Sequence, residues 1–334
     1  MTDTSTHLPK ATCIATSNIA FVKYWGRIND ALRLPMNGSI SMNLDSAFTI
    51  TTVEFDESLT ADQFSLSNQP ADTKQSARVF SHVDRIRAIA GIQTRARVAS
   101  ENNFPTGAGI ASSASAFAAL SVATAKAAGL SLPERELTLL ARQGSGSACR
   151  SVPAGFVEWH YGETNETSFA EQIAAPEHWD IRDLIAITQT THKEVGSADG
   201  NKLVSTSPFN DTRVKLAGAS LNVIRRAILE KNWTIFGEET EREAIRLHVI
   251  AMTSQPPIYY WSPVTLAIIQ AVTEWRRGGL EAYFTIDAGA NVHVLAKAED
   301  ADEVENRLWQ QEGVKIVLHN KPGMGAQVVE SHLF

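Results

Sequence analysis

The sequence predicts an α+β fold, because strand-like runs cluster in one stretch and helical runs cluster in another. Residues 11–22, 47–55 and 93–101 carry strand patterns near the start. Three helical stretches stand together near 211–230, 235–252 and 263–277, where an alternating doubly wound sheet would separate them with strands.

Within the third strand, "TRARVAS" alternates apolar and polar residues as a half-buried strand requires. Residues 109–128 read as a helix, and 134–143 as a second, opened by Pro133 and an acidic pair. "VPAGFVEWHYG" (152–162) and "DIRDLIAITQT" (180–190) read as strands on either side of the turn-rich "APEHWD" (175–180). A boundary near residue 180 divides the chain into an N-terminal domain, 1–180, and a C-terminal domain, 181–334. No flexible linker separates them, so the interface is expected to be tight. "EAYFTIDA" and "NVHVLAKA" are short strands, followed by a helix near 300–311 and a last strand near 314–319.

The composition excludes several classes of function. Hydrophobic residues make up 43% and charged residues 20% of the 334, the balance of an ordinary globular protein. A net charge of −7 argues against nonspecific nucleic-acid binding, which rests on neutralising phosphates. A small anionic ligand needs only a local basic pocket and stays open. The polar N-terminus "MTDTSTHLPK" lacks the apolar core of a secretory signal, and no run reads as a membrane span. Two cysteines, Cys13 and Cys149, supply neither a disulfide framework nor a metal cluster, so a cytoplasmic setting is expected.

"FPTGAGIASSASAFAAL" (104–120) is the stretch richest in chemistry. Gly107 and Gly109 permit close backbone approach to a ligand, and a helix N-terminus follows with free N–H donors. That combination binds phosphate without a cationic side chain. Ser112, Ser113 and Ser115 add hydroxyls. The alternative is a close-packed Ala/Ser helix entered through a Pro-Gly turn. A Walker A loop is excluded, since no Gly-Lys-Ser/Thr ending follows.

"PTGAGIASSASA" resembles the phosphate loop of the GHMP kinase superfamily. "SNIAFVKYWGR" (17–27) with "LPMNGSISMNLD" (34–45), "RQGSGSACRSVPAGFVEW" (142–159) and "YFTIDAGANV" (283–292) resemble segments of the mevalonate diphosphate decarboxylases, in that family's order. The resemblance implies a GHMP kinase fold, with a ribosomal-protein-S5-like N-terminal domain and a ferredoxin-like C-terminal domain around one cleft. It implies ATP and Mg2+ as cofactors, a phosphorylated mevalonate as substrate, and a homodimer. The implied reaction phosphorylates the 3-hydroxyl, then loses phosphate and carbon dioxide to give an isopentenyl product.

By the same resemblance Pro105, Gly107, Ala108, Gly109, Ala111, Ser112 and Ser113 hold the ATP phosphates, with Ser112 in catalysis and Ser113 towards magnesium. Asp287 is the catalytic aspartate that orients the 3-hydroxyl; an Asp capping its own turn is the alternative. The family's DAGPN reads DAGAN here, and Ala290 in place of proline is expected to loosen the turn. Lys23 is implied beside Asp287, keeping it ionised, where a strand lysine otherwise lies at a rim with its head in water. Tyr24, Trp25, Gly26 and Arg27 match the grip on the 5-phosphate end, with arginine where the family usually has lysine. Ser145, Gly146, Ser147, Ala148 and Cys149 match the same end. Arg150 is implied on the substrate carboxylate, with a surface ion pair as its alternative. Asn18 and Arg78 are further candidates at the phosphate end, Asn18 with a turn role as its alternative.

"THKEVGSADGNKL" (191–203) departs from the family, which places a hydroxyl or arginine donor to the 5-diphosphate there. This chain has Ala198 and Asp199. Loss of the donor, with an added carboxylate, leans towards a 5-phosphomevalonate substrate and isopentenyl phosphate as product. The alternative is a shifted loop in which Lys193 or Lys202 supplies the contact, with the 5-diphosphate as substrate. A GHMP kinase that stops at phosphorylation and a non-catalytic binding relative are the rival functions.

Overall fold

The computed structural model describes residues 8–104, 112–189 and 194–334. The strands, in chain order, are β1 (Ala11–Val22), β2 (Arg27–Asn29), β3 (Leu34–Pro35), β4 (Ser39–Phe55), β5 (Gln63–Leu66), β6 (Gln69–Pro70), β7 (Ala96–Asn102), β8 (Phe156–Trp159), β9 (Ala170–Ala174), β10 (Ile181–Ile187), β11 (Tyr283–Thr285), β12 (Val292–Lys297), β13 (Ile316–Asn320) and β14 (Gln327–Val329). The helices are α1 (Thr73–Ala90), α2 (Ser112–Ala127), α3 (Glu134–Gly144), α4 (Ser197–Leu203), α5 (Asn210–Glu230), α6 (Trp233–Thr253), α7 (Pro263–Arg277) and α8 (Ala301–Trp309).

Among the described residues the larger sheet runs β14-β1-β4-β7-β5-β6, with β8 and β9 added beside the first half of β4. The smaller sheet runs β11-β12-β10-β13, and β2 and β3 form a separate hairpin. Pairing is antiparallel except between β5 and β7. The β1–β4 register shifts between Thr16 and Asn18 and again between Ala20 and Val22. Such irregularities re-aim side chains, and here they flank Asn18 and directly precede Lys23.

α2 is buried on nearly every side, because its alanines and serines let neighbours approach closely. Gly144 shows how closely: a Cβ there would sit 2.2 Å from the Phe117 ring. α5 and α6 cover both sheets. Ile19, Phe21 and Met42 of the larger sheet share a core with Ile185, Tyr283 and Leu295 of the smaller one through Ile224, Ile228 and Phe236. The core is thus continuous across residue 180. No helix among the described residues is long and apolar enough to cross a membrane.

Two expectations change. The strand expected at 47–55 begins at Ser39, because Ile40, Met42 and Leu44 pack into the shared core. The helix α1 was not expected, although its ends are marked. Asp72 accepts from the Gln75 amide and Gly91 closes it at φ 68.

His82 of α1 lies buried edge-on to Phe117. The Ser121 hydroxyl donates to the Phe117 carbonyl at 2.6 Å, so the His82 Nε2–H is the donor to Ser121 Oγ at 2.8 Å. Burial, with the nearby Arg85 and Arg33 charges, pulls the imidazole from 6.5 down to about 3. The unfolded chain therefore takes up this proton first, and stability falls as pH drops from 6.5 towards 3. Urea unfolding across that range is expected to lose up to roughly 1.4 kcal/mol per pH unit through His82, and His82→Gln should remove that part of the slope. An unchanged slope would assign the acid sensitivity to other groups.

Candidate active site

Lys23 leaves the end of β1 as a buried cation, 1% exposed, instead of lying at a rim. Its ammonium donates to Asp287 Oδ1 at 2.6 Å and to the Ala20 carbonyl at 2.7 Å. Its backbone is held from three sides: its N–H donates to Glu243 of α6, and its carbonyl accepts from Asn37 and Arg213. Sequence reasoning missed Asn37, Arg213 and Glu243, which are separated from Lys23 by 14, 190 and 220 positions.

Asp287 follows β11, and 30% of its side chain stays accessible to the cleft. Burial would raise its carboxyl; the Lys23 charge and hydrogen bond outweigh that and hold it below the ordinary range. Lys23 itself is drawn below its usual value by burial, with Asp287 pushing the other way. The carboxylate's bond is to Lys23, in place of the turn cap left open above. The turn is also firmer than Ala290 led us to expect. The Ala290 carbonyl accepts from the hydroxyls of Thr265 and Thr188, and Asn291 Oδ1 accepts the Thr188 and Gln189 amides.

Arg150 lies in the short helical turn Gly146–Ser151, 3% exposed and with no carboxylate bonded to it among the described residues. The surface ion pair is therefore excluded. Its guanidinium donates to Ser39 Oγ at 2.5 Å and Asn18 Oδ1 at 3.2 Å, its Nε is unpartnered, and burial lowers its pKa. A buried cation bonded only to neutral groups is a favourable seat for a carboxylate. Asn18 serves as a brace: its amide also donates to Ser151 Oγ and the Ser147 carbonyl.

Tyr24 and Arg27 meet, with the Arg27 Nε donating to the Tyr24 hydroxyl at 2.7 Å, while Asp30 accepts from the same guanidinium. Gly146 is required there, since a Cβ would lie 2.7 Å from the Tyr24 ring. Ser145 bonds hydroxyl to hydroxyl with Ser113 at 3.1 Å, joining this turn to the first turn of α2. Ser112 lies in that turn and Ser147 is half-buried beside it. Gly26 adopts φ 95 and donates its N–H to Asn201.

Three expected substrate contacts turn their side chains away. Trp25 packs into a core with Val204, Leu247 and Tyr260, because its ring has no polar partner to keep it at the surface. Ala148 is core, and so is Cys149, whose thiol bonds the Gly146 carbonyl and is pushed up to about 12 by burial. Such a thiol is no nucleophile. Pro105, Gly107, Ala108, Gly109, Ala111 and Lys193 lie outside the described residues.

Asp199 and Lys202 pair at 3.0 Å on the exposed face of α4, so each charge is already answered. Asp199 is therefore not the bare carboxylate that the monophosphate expectation assumed, although a pair this exposed exchanges partners readily.

Beside the N-terminus of α2 is a cavity of about 160 Å³. Phe64, Leu66, Val98 and Phe117 give it apolar walls, and Ser100, Asn102, Ser112, Ser113 and Arg78 line it with polar groups. Arg78 lies over the Phe117 ring at 4.9 Å, which places it at this cavity. A flat apolar slot ending at hydroxyls and a helix N-terminus suits a nucleotide. Phe64, Leu66, Val98 and Asn102 had no signal in the sequence, because they come from separate strands.

No group of three or more His, Cys, Asp or Glu side chains able to hold a metal occurs among the described residues.

Fold and site together define an ATP-using enzyme of the GHMP kinase type. Residues 15–170 match the family model for the diphosphomevalonate decarboxylase-like N-terminal domain, and residues 183–328 that for the mevalonate 5-diphosphate decarboxylase C-terminal domain. The diphosphomevalonate decarboxylase of Ganoderma lucidum is 35% identical over 320 residues, covering 88% of this chain and 80% of the relative. The mevalonate diphosphate decarboxylase structure from Staphylococcus aureus is 34% identical with a TM-score of 0.91, covering 96% of this chain and 98% of its own. A structure described as MDDEF in complex with MVAPP, AMPPCP and magnesium is 36% identical, also with a TM-score of 0.91, covering 96% and 99%. This chain belongs to the diphosphomevalonate decarboxylase family, and is an ATP-dependent carboxy-lyase.

Lys23→Met is expected to raise the Asp287 pKa, because burial is then opposed only by the lesser pull of the His293 and Arg150 charges. The acid limb of kcat against pH should move to higher pH, and a limb that stays in place would separate Lys23 from the ionisation of Asp287. Asp287→Asn should lower kcat by roughly 10²–10⁴-fold, with nucleotide binding, followed by calorimetry, nearly unchanged.

Proposed function

We propose that this protein is a diphosphomevalonate decarboxylase, converting 5-diphosphomevalonate and ATP into isopentenyl diphosphate, carbon dioxide, phosphate and ADP. The observation that carries the reading is the Lys23–Asp287 pair at 2.6 Å, open to the cleft and close enough to Arg150 for their charges to interact. The sequence alone leaned towards 5-phosphomevalonate. Pairing of Asp199 with Lys202 removes one ground for that lean, and the relatives named above act on or bind the diphosphate, which supports it instead.

In this reading Arg150 takes the substrate's C1 carboxylate on its fork, and Asp287 accepts a hydrogen bond from the tertiary 3-hydroxyl. Lys23 keeps Asp287 ionised and its own charge faces the phosphoryl in transit. The Ser112 and Ser113 turn of α2 receives the nucleotide phosphates, with Ser113 as the hydroxyl towards magnesium. ATP supplies the phosphoryl group, and its magnesium ion neutralises charge developing on the phosphates.

Once the 3-oxygen is phosphorylated, the C3–O bond breaks and phosphate leaves with that bonding pair. The C1–C2 pair then forms the C2–C3 double bond as carbon dioxide departs. Arg150, bonded otherwise to neutral groups, can release a carboxylate that loses its charge. A kinase that stopped at phosphorylation would have no need of this buried arginine.

Carbon dioxide and ADP release, measured side by side with both substrates, test the proposal. Stoichiometric release with the diphosphate preferred is expected. ADP without carbon dioxide would reduce the enzyme to a kinase, and preference for the monophosphate would restore the other substrate. Arg150→Ala should raise KM for the acid substrate far more than for ATP, and an equal rise in both would point to a folding defect.

A further inference from the structure

Arg33 stands at the tip of the β2–β3 hairpin with φ 52, a left-handed backbone that is strained for a residue bearing a Cβ. Two contacts shape this tip: the Leu32 amide donates to Asn29 Oδ1 at 2.9 Å, and Arg142 Nε donates to the Leu32 carbonyl at 3.1 Å. Arg33 Nε donates to the Gln143 carbonyl at 2.8 Å, two residues before Ser145. Its guanidinium is therefore anchored at the C-terminal end of α3, just before the turn that carries Ser145 and Ser147.

The setting is rich in cations and short of anions. The charges felt most strongly by Arg33 are those of Arg27 and Arg78, with Tyr24 and Arg85 also near, and burial with the like charges pulls it down to about 10. Arg27 has Asp30. Arg33 has no carboxylate partner among the described residues, and its two terminal nitrogens have no protein acceptor there. Half-buried like charges repel each other until an anion joins them, and a guanidinium fork matches two phosphate oxygens.

We propose that Arg33 binds the outer phosphate of the 5-diphosphate and sets the preference for diphosphate over monophosphate. It supplies from the hairpin the donor that Ala198 does not supply from α4. The inference rests on the reading of function above. The family resemblance implies the substrate's phosphate end at Tyr24, Arg27 and Ser145, and in this proposal the outer phosphate extends from there towards the hairpin tip.

The test compares wild type, Arg33→Asn and Arg33→Lys on 5-diphosphomevalonate and 5-phosphomevalonate at saturating ATP. Asparagine adopts left-handed backbone readily, so Arg33→Asn keeps the hairpin backbone while removing the cation and its bond to the Gln143 carbonyl. Its kcat/KM for the diphosphate should fall roughly 10- to 100-fold, mainly through KM, with far less change for the monophosphate and none in KM for ATP. Arg33→Lys should recover part of the loss. Equal falls on both substrates, a change confined to ATP, or no change overturns the proposal. Binding of inorganic pyrophosphate, measured by calorimetry, separates this result from the function itself. If wild type decarboxylates neither compound, the functional reading fails, while Arg33 still stands or falls on whether Arg33→Asn weakens pyrophosphate more than orthophosphate.

Discussion

A buried ammonium needs a counter-charge, and the architecture is arranged around that requirement at Lys23. The lysine belongs to the end of β1 in the larger sheet, and Asp287 follows β11 in the smaller one. Their 2.6 Å contact exists only if the two sheets dock correctly. Docking is secured by α5 and α6, whose Ile224, Ile228 and Phe236 fill the shared core. Glu243 of α6 and Arg213 of α5 then fix the Lys23 backbone itself. Removing one member of such a pair leaves an unanswered charge, which is far costlier than never having built the pair.

The same logic governs the remainder of the cleft, with opposite sign. The chain carries a net charge of −7, yet Arg150, Arg27, Arg33 and Arg78 gather around the small-residue turns. Arg150 hydrogen-bonds only neutral groups among the described residues, with the Asp287 charge nearby, and Arg33 has other cations near it. In the reading proposed above, a substrate with a carboxylate at one end and phosphates at the other would meet both needs. A chain that is acidic overall thus still gathers a local basic site suited to a polyanion.

Much of the fold was legible from periodicity. β1, α2, α3, β12 and the three long helices have apolar patterns that do not depend on their partners. Less legible were the elements defined by tertiary contact. α1 interleaves its apolar residues with charged and polar ones, and of the apolar ones only Val83 and Ile86 are fully buried. The first half of β4, with its serines and asparagine, gains strand character only by pairing with β1 and β8. In the site, quoted motifs located Lys23, Asp287, Arg150 and the serine turns. Trp25, Ala148 and Cys149 of the same motifs turn their side chains into the core, which adjacency in sequence does not tell.

By itself the sequence determined the α+β class, the small-residue loops and the types of chemical group available, since these depend on local pattern and composition. The tertiary structure alone decided which groups meet. It paired Asp287 with Lys23 rather than with its own turn, tied Asp199 to Lys202, and left Arg150 and Arg33 without carboxylate partners among the described residues. The physical reason is that electrostatic energies depend on distance and burial, and neither is a local property of the chain.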